Sequence, residues 1–332
     1  MVVLRRAVRS ILAGLLFSLL MFGHNTPAMS SPESFILDLY MGEPVPADIM
    51  IEDISSVRIV YIGEVHTIPR HHAFQAKMLR ELSDRKLKLA LGMEMFSGEQ
   101  QAVLDSWQKG NQDVSALIRD LGHDAWTNLK DYEAVLTTAR ELGIPILGLN
   151  AADTLVKKVA REGLASLTEA ERKRVPAHVD KMNPLLDRLL RLRLKVHRAF
   201  QDRSLDFIVE AQSLRDETMA RGLSRYLESP YGKDTIMLVI AGTGHMNYGF
   251  GIPERAHRRN GLQFRIILPT ESGQLELSEE ERRQAVPVTI THEDLRFIQV
   301  PIADYLHVIP LQNGTETATQ VTSRSVVPGL QP

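Results

Sequence analysis

Four short apolar runs, each rich in β-branched or aliphatic residues and each leading into a polar or glycine-rich break, constrain this chain more than any other feature. They are Val57 to Ile62, which runs into Gly63-Glu64-Val65-His66; Leu87 to Met95, which carries Glu94; Ile144 to Leu149, which ends at Asn150; and Thr235 to Ala241, followed by Gly242-Thr243-Gly244-His245. Runs of this length and makeup read as buried strands. After the first run, Phe74, Met78, Leu79 and Leu82 recur at helical spacing between His71 and Arg85, so the local unit is strand, loop, helix. Strands alternating with helices predict an α/β fold, with a mainly parallel sheet flanked by helices. In such sheets ligands bind in the crevice beyond the carboxyl ends of the strands. Glu64, His66, Glu94, Asn150 and His245 are therefore expected to share one site.

Glu64, His66, Glu94 and His245 offer the oxygen and nitrogen donors that a divalent ion takes, whether manganese, zinc or iron. Water bound to such an ion would be acidified, and the site would then be hydrolytic. The same four groups also suit a buried hydrogen-bond network that closes the sheet edge, because a buried carboxylate such as Glu94 needs a partner. The glycine-rich Gly242-Thr243-Gly244-His245-Met246-Asn247 is not a dinucleotide fingerprint: Asn247 takes the third glycine position, and the loop follows the fourth strand instead of the first. Nor does the chain contain a P-loop, an H-E-x-x-H helix or a G-x-S-x-G nucleophile elbow. Those glycines suit a backbone that turns tightly and passes close to another group.

The borders of the chain read differently from its middle. Arg5, Arg6 and Arg9, the apolar stretch Ile11 to Phe22, and Ala28-Met29-Ser30 have the layout of an export signal over residues 1–30, with an uncleaved anchor as its rival. Its loss would remove three arginines and no acid, moving the formal charge from −2 to −5, so nothing suggests a nucleic-acid partner. With no cysteine there is no disulfide, thiolate metal site or lipidated cysteine, and export without disulfides suits a periplasm. Membrane association and a homodimer stay open. Residues 31–310 then form one α/β domain, with a charged, helical insertion at about 152–205 in which Thr168-Glu169-Ala170-Glu171 has the pattern of a capping box. Lys157, Lys158, Arg172, Lys173 and Arg174 give that insertion a basic face suited to solvent or to an anionic ligand. Phe207 to Leu227 reads as a helix returning to the sheet, Gly261 to Pro269 contains a last strand, and the polar tail 311–332 is expected to be disordered.

A family resemblance rests on residues that fall in order along the chain. They are Gly63-Glu64-Val65-His66, His71-His72 with Gln75, Met93-Glu94-Met95-Phe96, Gln100 or Gln101, Trp126, Tyr132, Ile144-Pro145 to Asn150, Ala211-Gln212 with Asp216 and Met219-Ala220, and Gly242-Thr243-Gly244-His245 to Arg255. This set resembles the ChaN-like family of haem-binding uptake proteins over roughly residues 55 to 270. The resemblance implies an α/β core with an added helical subdomain, export, and haem binding for iron uptake. The family is grouped with the Tiki and TraB proteins and with erythromycin esterases, which implies metal binding or hydrolysis as the alternative. Two departures stand out: many relatives read Asp-Asn where this chain has Thr67-Ile68-Pro69, and the cysteine of the lipoprotein members is missing. Haem iron takes an axial His, Tyr, Met or Cys in an apolar slot, with cations for the propionates. Tyr248 in the glycine-rich loop, Tyr305 and His307 on one face of an extended segment, and His71 and His72 at a helix start are the candidate ligands.

Overall fold

A computed structural model describes residues 34–194, 205–272, 283 and 295–310. The export signal, the polar tail, His197 and His292 lie outside the described residues. Eight strands form one sheet in the order β2-β1-β8-β7-β3-β6-β4-β5. The strands are β1 (Phe35–Asp38), β2 (Glu43–Val45), β3 (Ile59–Glu64), β4 (Leu89–Ser97), β5 (Ile146–Asn150), β6 (Ile236–Gly242), β7 (Phe264–Ser272) and β8 (Tyr305–Pro310). From β8 to β5 every neighbouring pair is parallel, while β1 lies antiparallel to both β2 and β8. The four expected strands all form, each shifted one or two residues toward its carboxyl end, so that Glu64, Glu94 and Asn150 are strand residues.

Helices cover both faces. α1 (Ala47–Ser55), α2 (Pro69–Asp84), α3 (Gln101–Lys109), α4 (Val114–Leu121) and α5 (Glu133–Glu141) pack one of them. Between β5 and β6 come α6 (Asp153–Glu162), α7 (Glu169–Arg172), α8 (Pro184–Leu194) and α9 (Asp206–Glu228), and α10 (Ile252–Asn260) follows β6. Alternation along β3 feeds both layers: Val60 and Ile62 join the cluster with Phe74, Met78 and Leu79 of α2, whereas Ile59 and Tyr61 join Met219, Leu223 and Ile252 on the opposite face. Burial on both faces is why the strand reads as a continuous apolar run instead of an alternating one. A third, smaller cluster, with Leu155, Val159, Leu167, Val175 and Leu214, holds the inserted helices together.

Local signals set several boundaries. Pro69 opens α2, where its missing N–H costs nothing. Thr168 and Glu171 cap α7 reciprocally, as their spacing indicates. β3 is the first parallel strand, and the chain then passes over the place later taken by β6 to lay down β4 and β5 before returning. That reversal puts the carboxyl ends of β3, β6 and β4 side by side, at the kind of switch point where open sheets hold ligands.

Candidate functional site

The side chains at these three strand ends form a row in which acids and imidazoles alternate. Glu64 Oε1 lies 2.7 Å from His66 Nδ1, and His66 Nε2 faces Glu94 Oε1 at 3.9 Å. Glu94 Oε1 lies 3.3 Å from His245 Nε2, and His245 Nδ1 is 2.5 Å from Asp216 Oδ1 on α9. Around this row, Gln75 Nε2 donates to Glu64 Oε2 at 2.6 Å, and the Tyr132 hydroxyl donates to Glu64 Oε1. The Gly242 N–H donates to Glu94 Oε2 at 2.7 Å, and Asn150 Nδ2 donates to the Glu94 carbonyl at 3.0 Å. Arg215 of α9 places its guanidinium on Glu94 Oε1. Apart from His66, whose side chain is 21% exposed, the members of the row are buried.

Two glycines let the row close. A Cβ on Gly242 would stand 2.9 Å from His66 Nε2, and one on Gly251, where φ is +73°, would stand 2.4 Å from the His245 carbonyl oxygen. Neither contact is sterically possible for a larger residue without displacing the site, and Gly251 also needs the left-handed backbone.

Charge in the row is balanced by its own members. Burial alone would push Glu94 toward neutrality, but His245, Arg215 and His66 outweigh it and hold this carboxyl well below its usual value. Burial opposes a charged ring at His245, yet Glu94 and Asp216 lift its pKa to about 9. At His66 burial is likewise outweighed, by Glu94 and the bonded Glu64, and its pKa rises. Glu64 stays below its usual value against burial because His66 donates to it. Burial and the adjoining Glu64 carboxylate drive the Tyr132 hydroxyl well above its own. Three acidic side chains thus meet one guanidinium and two imidazoles, so each buried charge has an opposite or hydrogen-bonding partner.

This balance bears on a metal. Among the described residues no three His, Asp or Glu side chains converge as a metal site. The physical reason is local: the Arg215 guanidinium stands on the Glu94 oxygen that a cation would take, and Asp216 and Glu64 each spend an oxygen on an imidazole nitrogen. The donor types suit a divalent ion, but their arrangement does not fit one.

The row floors a cleft of about 920 Å³. Its apolar wall includes Val103, Leu121, Trp126, Val156 and Leu190, and Lys157, Arg174 and Arg193 bring positive charge to it. Trp126 meets the His66 ring edge-on at 5.2 Å. His123, whose side chain is 92% exposed, also lines the cleft.

A family model described as haem-binding uptake, Tiki superfamily, ChaN matches residues 50–256, more than half of the chain. The chain belongs to this family. A solved structure of ChaN from Campylobacter jejuni, described as showing cofacial heme binding, aligns with a TM-score of 0.60 at 18% identity, covering 82% of this chain and 95% of that one. That likeness is one of fold. A mutant of the erythromycin esterase EreC in its open conformation aligns with a TM-score of 0.42 at 16% identity, over 68% of this chain and 73% of that one. Protein RETICULATA-RELATED 5, chloroplastic, of Arabidopsis thaliana is 24% identical over 234 residues, or 65% of this chain and 31% of that protein. The chain therefore spans about a third of the length of this curated relative.

In this ChaN-family chain Glu64, His66, Glu94 and His245 come together, whereas the five residues considered as haem ligands stand away from the cleft lining. His71 Nδ1 accepts from the Val65 N–H at 3.1 Å, and burial lowers its pKa to about 4. His72 packs on Tyr132 with ring centroids 4.2 Å apart and is 3.5 Å from Glu64, beneath the row. The Tyr305 hydroxyl donates to Asp53 at 2.8 Å, and His307 stacks on Phe74 at 4.1 Å. Tyr248, at φ +63°, bonds through its backbone N–H to Ile302. Helix α2 and strand β8 turn these rings into the core layer, which sequence spacing alone does not specify. Of the expected basic face, Lys157 and Arg174 line the cleft, paired with Asp153 and Glu99, while Lys158 bonds Glu171, Arg172 holds the carbonyls of Leu164, Ala165 and Leu167, and Lys173 pairs with Glu169. Arg215 and His123 were not anticipated. Arg215 adjoins the expected Asp216 on the sequence, and a buried Glu94 in need of a cation was the only signal pointing to it.

Proposed function

We propose that this protein binds haem in the cleft above the Glu64-to-Asp216 row. The cleft carries the reading: at about 920 Å³ it lies in the range of small-molecule and cofactor sites, and it sets an apolar wall against basic side chains. A macrocycle needs such a wall, and its propionates need such cations. Val103, Leu121, Trp126, Val156 and Leu190 would hold the ring, with Arg193 facing a propionate and with Lys157 and Arg174, paired at 2.8 Å with Asp153 and Glu99, as further cations at the cleft. His123 has the most accessible imidazole at the cleft, with Nε2 3.5 Å from Asp124, and would hold the iron, since His66 and His245 are bound more closely by Glu64 and Asp216. Bound haem would supply iron chemistry tuned by that ligand and by the polarity of the cleft. The family match and the heme-binding description of the Campylobacter protein support the reading. The export pattern of residues 1–30 supports a role outside the cytoplasm, in iron uptake or haem handling.

A second reading, hydrolysis on the cleft floor, is favoured by one observation. His66 has its Nδ1 fixed by Glu64 and part of its ring open to the cleft, which is the orientation of a general acid or base. Haemin titration of the metal-free protein separates the two. Haem binding predicts a saturable Soret shift that His123→Ala abolishes and His66→Ala leaves largely intact. A spectrum equal to haemin mixed with an unrelated protein ends the first reading, and loss of ester turnover in His66→Ala would support the second.

A further inference from the structure

Outside the cleft, guanidinium groups gather along the seam between α9 and α10. Glu217, Arg221 and Arg225 recur one turn apart on α9, and Arg255 and Arg259 do the same on α10. The helices are joined along this seam, where Asn260 Nδ2 donates to Ser224 Oγ at 3.0 Å. Glu217 is buried and accepts from Arg255 Nη1 at 2.5 Å and from Arg259. Arg255 is buried as well, and its other arm donates to the Asp180 carbonyl at 3.2 Å. Arg215 and Gln212 of the same helix line the cleft, whereas Arg221 lies about 9 Å beyond Arg215 along the axis and does not.

The acids around this seam do not match its cations. Asp180 is taken by Arg258 and His178, each at 2.9 Å, and Glu254 faces Asn183 Nδ2 at 3.3 Å. Arg221 and Arg225 have no hydrogen bond or ion pair with any side chain or backbone group among the described residues. Four guanidiniums, those of Arg221, Arg225, Arg255 and Arg259, thus stand around one bonded carboxylate, an excess of three positive charges, or of two when the exposed Glu228 at the end of α9 is counted. Arg221 is half-buried, and burial with repulsion from Arg225 and Arg259 holds its pKa below the usual value against the attraction of Glu217. A partly buried guanidinium whose five N–H donors meet no acceptor is costly, and like charges one turn apart on a helix add to that cost. Glu217 nevertheless keeps Arg255 and Arg259 fixed, so the cluster is held together instead of spreading into solvent.

We propose that the seam between α9 and α10 binds a tetrahedral oxyanion of the phosphate class, gripped by Arg221 together with Arg225 and Arg259. The planar guanidinium offers parallel N–H donors that match two oxygens of such an anion. A dianion brings the acceptors that Arg221 and Arg225 lack and offsets the excess positive charge. Glu217 acts as a positioning residue: it stays on Arg255 and Arg259 and sets where the anion meets them. Inorganic phosphate and the phosphoryl group of a small ester share this chemistry. The site is separate from the cleft, so it stands whether or not haem is the ligand there.

Thermal melting of the full-length protein, with chloride replaced stepwise by phosphate at constant ionic strength, tests the proposal. Phosphate should raise the Tm of wild type saturably, as a ligand of the folded state does. Arg221→Gln and Arg225→Gln should each weaken the apparent phosphate affinity by about tenfold or more, and Arg221→Lys, which keeps the charge and loses the fork, should fall between. In chloride Arg221→Gln should melt no lower than wild type, because it breaks no hydrogen bond and relieves repulsion. Exclusion of phosphate from protein surfaces acts on all variants alike, so the difference between them reads the site. Glycerol 3-phosphate separates the sources: a larger rise than with phosphate assigns the site to an ester, and an equal or smaller one to the free anion. The same phosphate response in wild type and Arg221→Gln would overturn the proposal. So would a response that survives Arg221→Gln and is lost in Arg193→Gln, which would put the anion in the cleft.

Discussion

Replacing Arg215 with methionine keeps an aliphatic stem in α9 and removes the buried cation that faces Glu94. Breaking one side of a buried ion pair costs about 3–5 kcal/mol. Glu94 keeps the Gly242 N–H at 2.7 Å and His245 at 3.3 Å, so the lower end, about 3 kcal/mol, is expected. For a chain of this size that corresponds to a fall in Tm of roughly 5 °C. The pH dependence carries a sign. The depressed pKa of Glu94 gives stability that is present above its ordinary value of 4.5 and is lost as pH falls through the folded value. Without Arg215 the folded value rises, so the deficit should be largest at neutral pH and should narrow on acidification, when a protonated Glu94 no longer needs a cation. Urea unfolding followed by circular dichroism at several pH values measures both quantities. A variant as stable as wild type at pH 7, with the same pH profile, would refute the charge balance assigned to the row.

Gly242→Ala should destabilise the protein by about 1–3 kcal/mol through overpacking against His66, read by urea unfolding, and should shift the His66 titration in NMR; a silent substitution would contradict the close approach. Burial of His71 and partial burial of His307 lower both pKa values to about 4, so stability should be present above about pH 6.5 and decline from there to pH 4, with His71 accounting for up to about 3 kcal/mol. His245 acts in the other direction: its raised pKa gives stability that is full below 6.5 and lost as pH rises through about 9. A stability maximum near pH 6.5 in unfolding experiments, with His71→Phe flattening the acid limb, checks both. Asp216→Asn should lower the pKa of His245, seen by NMR, because it removes one of the two carboxylates that hold the ring charged.

Much of the site was legible because its chemistry sits at the ends of unmistakable strands. Glu64, Glu94 and the Gly242-to-His245 loop each interrupt or follow an apolar run, and a parallel sheet necessarily brings such ends to one edge. The partners that decide what the site can do come from elsewhere. Tyr132 precedes α5, and Arg215 and Asp216 lie within the 23-residue α9, where no local pattern distinguishes a buried charge from a solvated one. The metal expectation went no further than donor types for the same reason, because the guanidinium that takes the cation's place is 121 residues from Glu94. Strands β1 and β2 carry no such signal, being four and three residues long, and the extended segment of Tyr305 and His307 gives no sign that it joins β7, because a long segment intervenes. His71 and His72 at the helix start are candidate haem ligands by sequence alone. Both turn inward, because the start of α2 is packed between Val65 and Tyr132.

The central claim, that haem occupies the cleft, is tested most directly by haemin titration of wild type against Thr154→Trp. Thr154 is exposed on α6 and lines the cleft, so a tryptophan there fills the site without disturbing the core. Wild type should give a saturable Soret shift, and the filled variant should lose at least tenfold in affinity, about 1.4 kcal/mol, while melting at the same temperature. Equal haemin affinity in the two proteins would place the ligand elsewhere and contradict the account.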